Sequence, residues 1–273
     1  MNCLRTRVNY RDADSVTIYD RGLQFGDGLF ETIAVREELP LLWLLHWARL
    51  QRGCGLLGIQ PPEEQRLTEE IKSLCQGVDK GIVKLVLTRG NSSRGYALDK
   101  KALPNLVLYL FSWPENIEAR RAQGAHLRLC RTRLASGSFL AGVKHLNRLE
   151  QVLAKAELAG EQEEGLMLNT AGDVVEGVST NVFALIGDRL QTPDLSGCGV
   201  QGVMREHILM SAPELGIDVR ITTLTPGDLI RAHEVFLTNS IIGIWPVKQF
   251  QQTVYAPGLV TERLTEHLRQ SYC

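Results

Sequence analysis

The spacing of apolar residues changes period several times along the chain, and each change predicts a new element. Alternating or continuous apolar runs of seven to ten residues are typical of strands, and stripes at helical spacing are typical of amphipathic helices. In the first part the predicted strands cover 29–35, 81–90 and 105–113, and the predicted helices cover 41–57 and 63–77. Gly58 follows the first of these helices and is expected to end it.

A polar, charged segment after Pro114 predicts a domain boundary. Beyond it the pattern is mostly that of strands, with a helix after Gly202, a helix capped by Thr225 with Pro226 at its first position, and a last helix over 258–270. We therefore predict an α+β protein with a domain over 1–114, a linker over 115–121 and a domain over 122–273. A cleft between two such domains is where a small ligand is expected to bind.

The stretch FLAGVKHLNRLEQVLAKAEL combines a helical pattern with an unusual charge. Leu146, Leu149, Val152 and Leu153 recur at helical spacing, which predicts a helix whose apolar side faces the core. Lys144 stands between the apolar run before it and this helix. The common explanation is a lysine whose stem covers the core while its amine reaches water. The alternative is a lysine desolvated so that its neutral amine acts as a nucleophile in Schiff-base chemistry.

Net charge, the length of apolar runs and the spacing of cysteines limit the possible classes of function. The 273 residues carry a formal net charge of -1, which gives little support for a general role on nucleic acid or anionic membranes. No apolar run is long enough to span a bilayer, and the N-terminus lacks the apolar core of a signal peptide. The six cysteines lie far apart and form no metal-binding cluster, so we expect reduced thiols in a cytoplasmic protein.

Two further features fit a pyridoxal phosphate site. Glu176 ends an apolar strand; it is either a solvated turn carboxylate or the acidic partner of a protonated ring nitrogen. The stretch GCGVQGVMREHIL places a glycine-rich turn before a helix, where free N–H groups and the helix dipole suit a phosphate, although a plain loop has the same composition.

The stretch EGVSTNVFALIGDRLQTPDLSGCGVQGVMR resembles the signature of the class-IV aminotransferase family, the fold-type IV pyridoxal phosphate enzymes. Matching positions are Glu176, Asn181, Phe183, Leu190, Thr192, Gly202, Val203 and Arg205, while Val178 departs from the small residue usual there. DRGLQFGDGLFETIAV and HWARL resemble two N-terminal segments of the family. The resemblance implies a smaller N-terminal α/β sandwich, a larger C-terminal β-barrel-like domain with flanking helices, and a homodimer.

The resemblance also implies roles for individual residues. Lys144 would bond to pyridoxal 5'-phosphate, Glu176 would pair with its pyridine nitrogen, and Arg49 would bind its phosphate. The backbone N–H groups of Val203 and Met204 would complete the phosphate site. Ser240 would add to that site, and Arg148, one helical turn after Lys144 on the same face, would hold the phenolate oxygen of the cofactor.

Within the family, the stretches around Lys144 and Arg94 are most similar to a lyase branch whose substrate carries two carboxylates. Arg94 and Arg89 would bind these carboxylates through the guanidinium fork, and Asn239 would either face the ligand or make a strand-end hydrogen bond. Thr32 would relay a proton near the reacting carbon. The alternatives are a transaminase for D-amino acids or branched-chain amino acids, and a non-catalytic binding protein that keeps the fold.

Overall fold

The computed structural model describes residues 2–92, 94–99, 102–137, 139–160 and 163–271. Cys273, one of the six cysteines predicted to be reduced thiols, lies outside these residues. The chain forms two compact units. The first contains Met1–Pro114 and Val143–Asn147, and the second contains Glu115–Gly142 and Arg148–Cys273. Within the described part of the chain, no helix combines the length and apolar character that a membrane crossing requires.

The first unit is built on one antiparallel sheet with the strand order β2-β1-β6-β5-β3-β4. Its strands are β1 (Cys3–Val8), β2 (Arg11–Asp12), β3 (Gly28–Arg36), β4 (Leu39–Pro40), β5 (Lys80–Thr88) and β6 (Asn105–Ser112). Its helices are α1 (Arg21–Phe25), α2 (Trp43–Leu57) and α3 (Glu64–Cys75). The predicted strands and helices of this part are therefore confirmed.

The core of the first unit lies between one face of this sheet and α2 and α3. Leu29, Ile33 and Val35 alternate along β3 and are buried in one cluster with Leu50 of α2 and Ile71 of α3. Alternate residues of a strand point to one face, which is why Leu29, Ile33 and Val35 share the core-facing side of β3. Gly58 ends α2 in the left-handed conformation with φ 63°, as predicted.

The second unit is built on a nine-stranded mixed sheet. Eight of its strands follow the order β12-β11-β10-β13-β14-β7-β8-β9, and the ninth, β15, pairs with β14. Its strands are β7 (Ala125–Leu134), β8 (Glu163–Asn169), β9 (Val174–Gly177), β10 (Asn181–Ile186), β11 (Arg189–Pro193), β12 (Val219–Thr222), β13 (Glu234–Asn239), β14 (Gly243–Phe250) and β15 (Thr253–Val254). Its helices are α4 (Ile117–Gln123), α5 (Leu149–Ala156), α6 (Val203–Ser211), α7 (Pro226–Arg231) and α8 (Leu259–Ser271). Thr225 caps α7 in a capping box with Asp228, which confirms that predicted helix start.

Two features of the units were not predicted from the sequence. The segment Val143–Asn147 belongs to the first unit although it lies far along the chain. Residues 117–123, most of which were assigned to a linker, form the helix α4. The domain division of the sequence analysis thus differs from the structure in these two segments.

The helix after Lys144 also differs from its prediction. It begins only at Leu149, so Lys144 and Arg148 do not lie one turn apart on a helix face. Leu149 is 77% exposed, and Val152 and Leu153 are each 60% exposed, whereas Ala154 is the buried residue of α5. The prediction that this apolar stripe faces the core is therefore wrong. Helical spacing shows that the side chains share one face, but it does not show what covers that face.

Candidate active site

Lys144 lies in an extended segment that pairs with the beginning of β3. Phe30 N–H donates to Lys144 O at 3.0 Å, and Leu146 N–H donates to Gly28 O at 3.0 Å. A side chain at Gly28 would approach Leu87 O to 2.5 Å and Leu146 Cδ1 to 2.8 Å, so this close pairing requires glycine. The Nζ atom of Lys144 is 4.3 Å from the centroid of the Phe30 ring, which places the half-buried amine against an aromatic face.

Thr32 follows Phe30 by two positions on β3, so both side chains are on the same face of the strand. Its cross-strand partner is Lys84 of β5. Lys84 is exposed, and its Nζ lies 5.9 Å from the same Phe30 ring. Lys144 is thus the less exposed of the two lysines and lies nearer to the Phe30 ring, on whose strand face Thr32 also lies.

Arg49 is held by a buried carboxylate. Its Nε donates to Glu31 Oε1 at 2.8 Å, and its Nη2 donates to Glu31 Oε2. The ring Nδ1 of His46 also lies 2.6 Å from Glu31 Oε2. His46 and Arg49 are three residues apart on α2, which directs both toward the face of β3 that carries Glu31. The two-point contact fixes the plane of the guanidinium.

The surroundings in this cluster lower the pKa values of both Glu31 and His46. Burial alone would raise the pKa of Glu31, but the charge of Arg49 and the hydrogen bond from His46 outweigh it and lower the pKa to about 2. Burial lowers the pKa of His46, and the nearby charges of Arg49 and Lys144 lower it further, against the opposing effect of Glu31. His46 is therefore favoured in its neutral form, beside an ionised Glu31.

Glu176 is a buried carboxylate at the end of β9. It is 4% exposed, and its Oε2 accepts a hydrogen bond from Val200 N–H at 2.8 Å. A Cβ at Gly199, where φ is +82°, would lie 2.7 Å from Val175 Cγ1 and 3.2 Å from Glu176 Oε2. Glycine at 199 thus allows the turn to fold against the carboxylate. The burial excludes the solvated turn carboxylate that the sequence left open.

The same turn leads into the first turn of α6. Asn181 Nδ2 donates to Val200 O at 2.9 Å, and a Cβ at Gly202 would lie 1.9 Å from Asn181 Oδ1. Gly202 is the N-cap of α6, where the structure shows no side-chain cap hydrogen bond, and Val203 and Met204 are its first two residues. The helix start is thus built from main-chain N–H groups, as an anion site requires.

Arg205 anchors this helix. It is 4% exposed, and its guanidinium donates to Thr192 Oγ1 at 3.3 Å and to Pro193 O at 3.0 Å. Because these acceptors belong to β11, the first turn of α6 is fixed to the sheet. Arg205 and Thr192 match the family signature, but the sequence alone indicated no role for either residue. Their contact shows that they join α6 to β11.

Two predicted substrate residues are engaged in structural hydrogen bonds. Arg89 donates to both carboxylate oxygens of Asp27, at 2.7 and 3.0 Å, and to the carbonyls of Leu57 and Gly58. Asn239 donates to Ser179 O at 3.2 Å, and its Oδ1 accepts from the N–H groups that follow it. These contacts agree with the strand-end alternative for Asn239, and the substrate roles of both residues stay predictions.

The other predicted residues occupy accessible or half-buried positions. Arg148 is the N-cap residue of α5, and Ser240 directly follows β13; both are half-buried. Arg94 is exposed and lies beside a surface groove of about 800 Å³ that Tyr19, Phe25 and Tyr96 also line. An exposed cation among aromatic rings suits a ring-shaped carboxylate.

Glu31 and His46 were not identified as functional residues from the sequence. A signal was present, because Glu31 is the one charged residue at a core-facing position of β3, between Leu29 and Ile33. A charge at such a position needs a buried partner, and the helix that follows offers His46 and Arg49 at compatible spacing.

The chain belongs to the class IV aminotransferases, since the profile of that family, Amino-transferase class IV, matches residues 28–250. The crystal structure of 4-amino-4-deoxychorismate lyase from Pseudomonas aeruginosa superposes with a TM-score of 0.93 and 44% identity, covering 97% of this chain and 98% of that one. Aminodeoxychorismate lyase from Vibrio harveyi is 34% identical over 96% of this chain and 98% of its own. A putative branched-chain-amino-acid aminotransferase from Methanocaldococcus jannaschii is 30% identical over 96% of this chain and 92% of its own.

The cofactor of this family is pyridoxal 5'-phosphate, and the residues present fit it. Four buried side-chain polar atoms have no hydrogen-bond partner among the described residues, and His46 Nε2 and Thr180 Oγ1 are two of them. Buried polar atoms in proteins normally have partners, so His46 Nε2, one turn from Arg49 on α2, is an unsatisfied polar atom near the predicted phosphate arginine. The donor set also fits, because it includes an amine, a fixed guanidinium and a buried carboxylate.

Proposed function

We propose that this protein is an aminodeoxychorismate lyase, which converts 4-amino-4-deoxychorismate into 4-aminobenzoate, a folate precursor, and pyruvate. The observation that carries the proposal is the position of the Lys144 amine against Phe30, on the face of β3 that also carries Thr32, in a chain of this family. The alternative of a retired, non-catalytic site is disfavoured because Lys144, Glu176 and Arg49 are all retained.

Several segments of the chain supply the residues that would hold pyridoxal phosphate. Lys144 would bond to its aldehyde carbon and Arg49 would bind its phosphate. Glu176 would face the pyridine nitrogen, the N–H groups of Val203 and Met204 would bind the phosphate with Ser240, and Arg148 would hold the phenolate oxygen. When bound, the cofactor supplies an electron sink for the carbon that carries the substrate amine.

The buried carboxylate of Glu176 would favour a proton on the pyridine nitrogen, because a buried anion is stabilised by a cation at its side. Lys144 Nζ, once the substrate amine has displaced it and it is neutral, would remove the proton from the ring carbon that bears the amine. The electron pair of that C–H bond becomes a ring double bond as the C–O bond on the adjacent carbon breaks. Enolpyruvate leaves and the ring becomes aromatic.

Lys144 then carries the proton that it removed, and it returns this proton to the methylene carbon of enolpyruvate, directly or through the Thr32 hydroxyl. The products are pyruvate and 4-aminobenzoate, and no oxidant or reductant is consumed. Aromatisation makes the elimination strongly downhill. The main task of the side chains is therefore to lower the barrier of the first proton removal.

The substrate carries two carboxylates, and Arg94 is the proposed partner of one of them. Its guanidinium is exposed and lies beside the aromatic groove, which can accommodate a ring. A two-pronged contact with a carboxylate is the interaction in which arginine differs from lysine. Arg89, by contrast, already donates to Asp27 and to two carbonyls.

We further propose a homodimer in the cytoplasm. The exposed apolar stripe of Leu149, Val152 and Leu153 on α5 is a surface that a second copy of the chain could cover. The five described cysteines are free thiols, and four of them are buried. Free thiols in this number are typical of a reducing compartment.

The test is to supply the purified protein with pyridoxal phosphate and 4-amino-4-deoxychorismate, and to measure 4-aminobenzoate and pyruvate. We expect equal amounts of both products. Lys144→Ala should abolish product formation, whereas Lys84→Ala should retain it. Lys84 is the exposed lysine that pairs with Thr32 from the neighbouring strand β5. Borohydride reduction should leave the pyridoxyl label on the peptide that contains Lys144. Full activity of Lys144→Ala, or a label on Lys84, would reject the mechanism.

The second candidate is a transaminase for D-amino acids or branched-chain amino acids, which the Methanocaldococcus relative favours. D-alanine or L-leucine would be supplied with 2-oxoglutarate, and glutamate formation followed. Amino transfer faster than 4-aminobenzoate formation would replace the lyase with a transaminase. A yellow protein that catalyses neither reaction would favour the non-catalytic alternative.

A further inference from the structure

Arg21 is a buried cation whose contacts reach the segment that carries Arg94. It is 3% exposed, and its Nε donates to Asp27 Oδ2 at 2.8 Å. Its Nη1 donates to Ser92 Oγ at 3.0 Å, to Gly95 O at 3.1 Å and to Ala97 O at 3.4 Å. Two of these three acceptors are main-chain carbonyls on the C-terminal side of Arg94. The segment, residues 91–92 and 94–97, therefore folds around the guanidinium.

Asp27 connects this cation to the body of the first unit. It accepts hydrogen bonds from Arg21 and from Arg89, and Arg89 donates in turn to the carbonyls at the end of α2. Hydrogen bonds from Arg89 and Arg21 lower the pKa of Asp27 despite the opposing effect of burial. A buried charge without such partners is strongly unfavourable, so the Arg21–Asp27–Arg89 cluster has one well-defined arrangement.

The base of the Arg94 segment is fixed independently of the Arg21 side chain. Arg21 N–H donates to Gly90 O at 2.9 Å, and Ser92 N–H donates to Tyr19 O at 3.1 Å. Gly90 has φ +95°, and a Cβ there would lie 1.9 Å from Leu103 O, so the two ends of the loop are in close contact. Loss of the guanidinium would therefore release the part around Arg94 while leaving the base paired.

The aromatic groove depends on the same cation. The Arg21 guanidinium lies 4.8 Å from the centroid of the Phe25 ring, and the Phe25 ring lies 5.3 Å from the Tyr96 ring. Tyr96 is 84% exposed, so the contact with the Phe25 ring is the main packing contact of its side chain. Arg21 thus contacts the Phe25 ring, which in turn contacts the Tyr96 ring at the groove.

We propose that Arg21 is a positioning residue, whose buried guanidinium holds the Arg94 segment in the conformation that binds a substrate carboxylate. The inference rests on the proposed function, because it takes Arg94 as the carboxylate partner. Ordering a loop on binding weakens affinity, and a segment held in advance avoids that loss. Arg21 does not touch the reacting atoms, so its removal should raise KM and leave kcat nearly unchanged.

The first experiment measures the segment without any substrate. Trypsin cleaves after Arg94 once that part of the chain opens, and mass spectrometry follows the Arg94–Gly95 bond. Arg21→Lys keeps a cation beside Asp27 but lacks the fork that reaches the three acceptors. We expect cleavage of Arg21→Lys to be roughly tenfold faster than cleavage of the wild type, because the variant loses charge-assisted hydrogen bonds to the segment. Trp43→Phe is the control, because it removes a hydrogen bond to Thr68 Oγ1 in the same unit and does not touch the segment.

The second experiment measures lyase kinetics on the holoenzyme. Arg21→Lys should raise KM about five- to tenfold with kcat within about twofold, and in an Arg94→Gln background the same change should have almost no further effect. Ser92→Ala removes one acceptor without touching the charge. It should give a smaller change of the same kind, which keeps the proposal testable if Arg21→Lys fails to fold.

The outcomes separate this inference from the proposed function. Wild-type cleavage rates in both Arg21→Lys and Ser92→Ala, or additive KM effects of Arg21→Lys and Arg94→Gln, would overturn the inference while the lyase reaction stands. Absence of 4-aminobenzoate formation by the wild type would reject the proposed function, and the substrate part of this inference with it.

Discussion

Glu31 and Arg49 form a buried, two-point ion pair between β3 and α2. The Nε of Arg49 lies 2.8 Å from Glu31 Oε1, and the second carboxylate oxygen accepts from Nη2 and lies 2.6 Å from the ring of His46. Neither side chain exceeds 7% exposure. The proposed phosphate arginine is thus oriented by an acid that would not itself contact the cofactor.

Glu31→Gln should weaken cofactor binding and destabilise the first unit. Removing one partner of a buried ion pair costs about 3–5 kcal/mol, because it leaves an uncompensated charge. We also expect the dissociation constant of pyridoxal phosphate to rise roughly tenfold or more, corresponding to about 1.4 kcal/mol. Absorbance titration and urea unfolding provide the measurements. Glu234→Gln is the matched control, since Glu234 is a buried carboxylate that accepts from Val260 N–H and from Thr261, and it should change stability without changing cofactor affinity.

Ionisation of Glu31 should make stability depend on acid pH. Its pKa is about 2 in the folded protein, against an ordinary value of 4.5. The folded state therefore binds fewer protons than the unfolded state, so this contribution is complete above about pH 4.5 and is lost as the pH falls toward about 2. The difference in urea midpoint between wild type and Glu31→Gln should shrink between about pH 6 and about pH 3. A constant difference would contradict an ionised Glu31.

Gly202→Ala should disrupt the start of α6. The added Cβ would lie 1.9 Å from Asn181 Oδ1, and Asn181 must move or lose its hydrogen bond to Val200 O. We expect weaker binding of pyridoxal phosphate with little change in overall content of secondary structure, measured by titration and circular dichroism. Gly197→Ala is the control, since no heavy atom lies within 4 Å of that added Cβ. Equal affinities of the two variants would exclude the α6 N-terminus as the phosphate site.

Thr32→Val should separate a proton relay from simple packing. Valine keeps the β-branched shape on β3 but lacks the hydroxyl, whereas Thr32→Ser keeps the hydroxyl. If the hydroxyl relays the proton, Thr32→Val should lower kcat by about 10²-fold and Thr32→Ser should stay near the wild type. Stopped assays of 4-aminobenzoate measure both. Similar kcat values for the two variants would remove Thr32 from the catalytic residues.

The exposed stripe on α5 should decide the oligomeric state. Leu149 and Leu153 are 77% and 60% exposed on one helix face. Exchanging both for Gln should convert the proposed homodimer into a monomer, seen by sedimentation velocity. Leu259→Gln changes a single residue that is 75% exposed on α8, and it should leave the sedimentation coefficient unchanged. A wild type that sediments as a monomer would reject the homodimer.

The sequence by itself determined the elements and the chemistry class. Apolar period indicated most of the strands and helices of both units, because a side chain's face follows directly from its position along a strand or helix. It did not indicate α4 or the late start of α5 at Leu149. The motif around Glu176 and Gly202 indicated the cofactor through its resemblance to the class-IV aminotransferases. The structure explains the glycines of that motif, because a Cβ at Gly199 or Gly202 would meet Glu176 or Asn181.

The tertiary structure alone decided which polar residues meet. The pairing of Glu31 with Arg49, the contacts of Arg21 with the Arg94 segment and the pairing of the Lys144 segment with β3 join residues 18 to 118 positions apart, so no local pattern contains them. The apolar stripe of α5 shows the same limit, since its spacing defined a face while the surrounding elements left Leu149 exposed. Local sequence sets the direction of a side chain, and only packing of distant elements sets its neighbour.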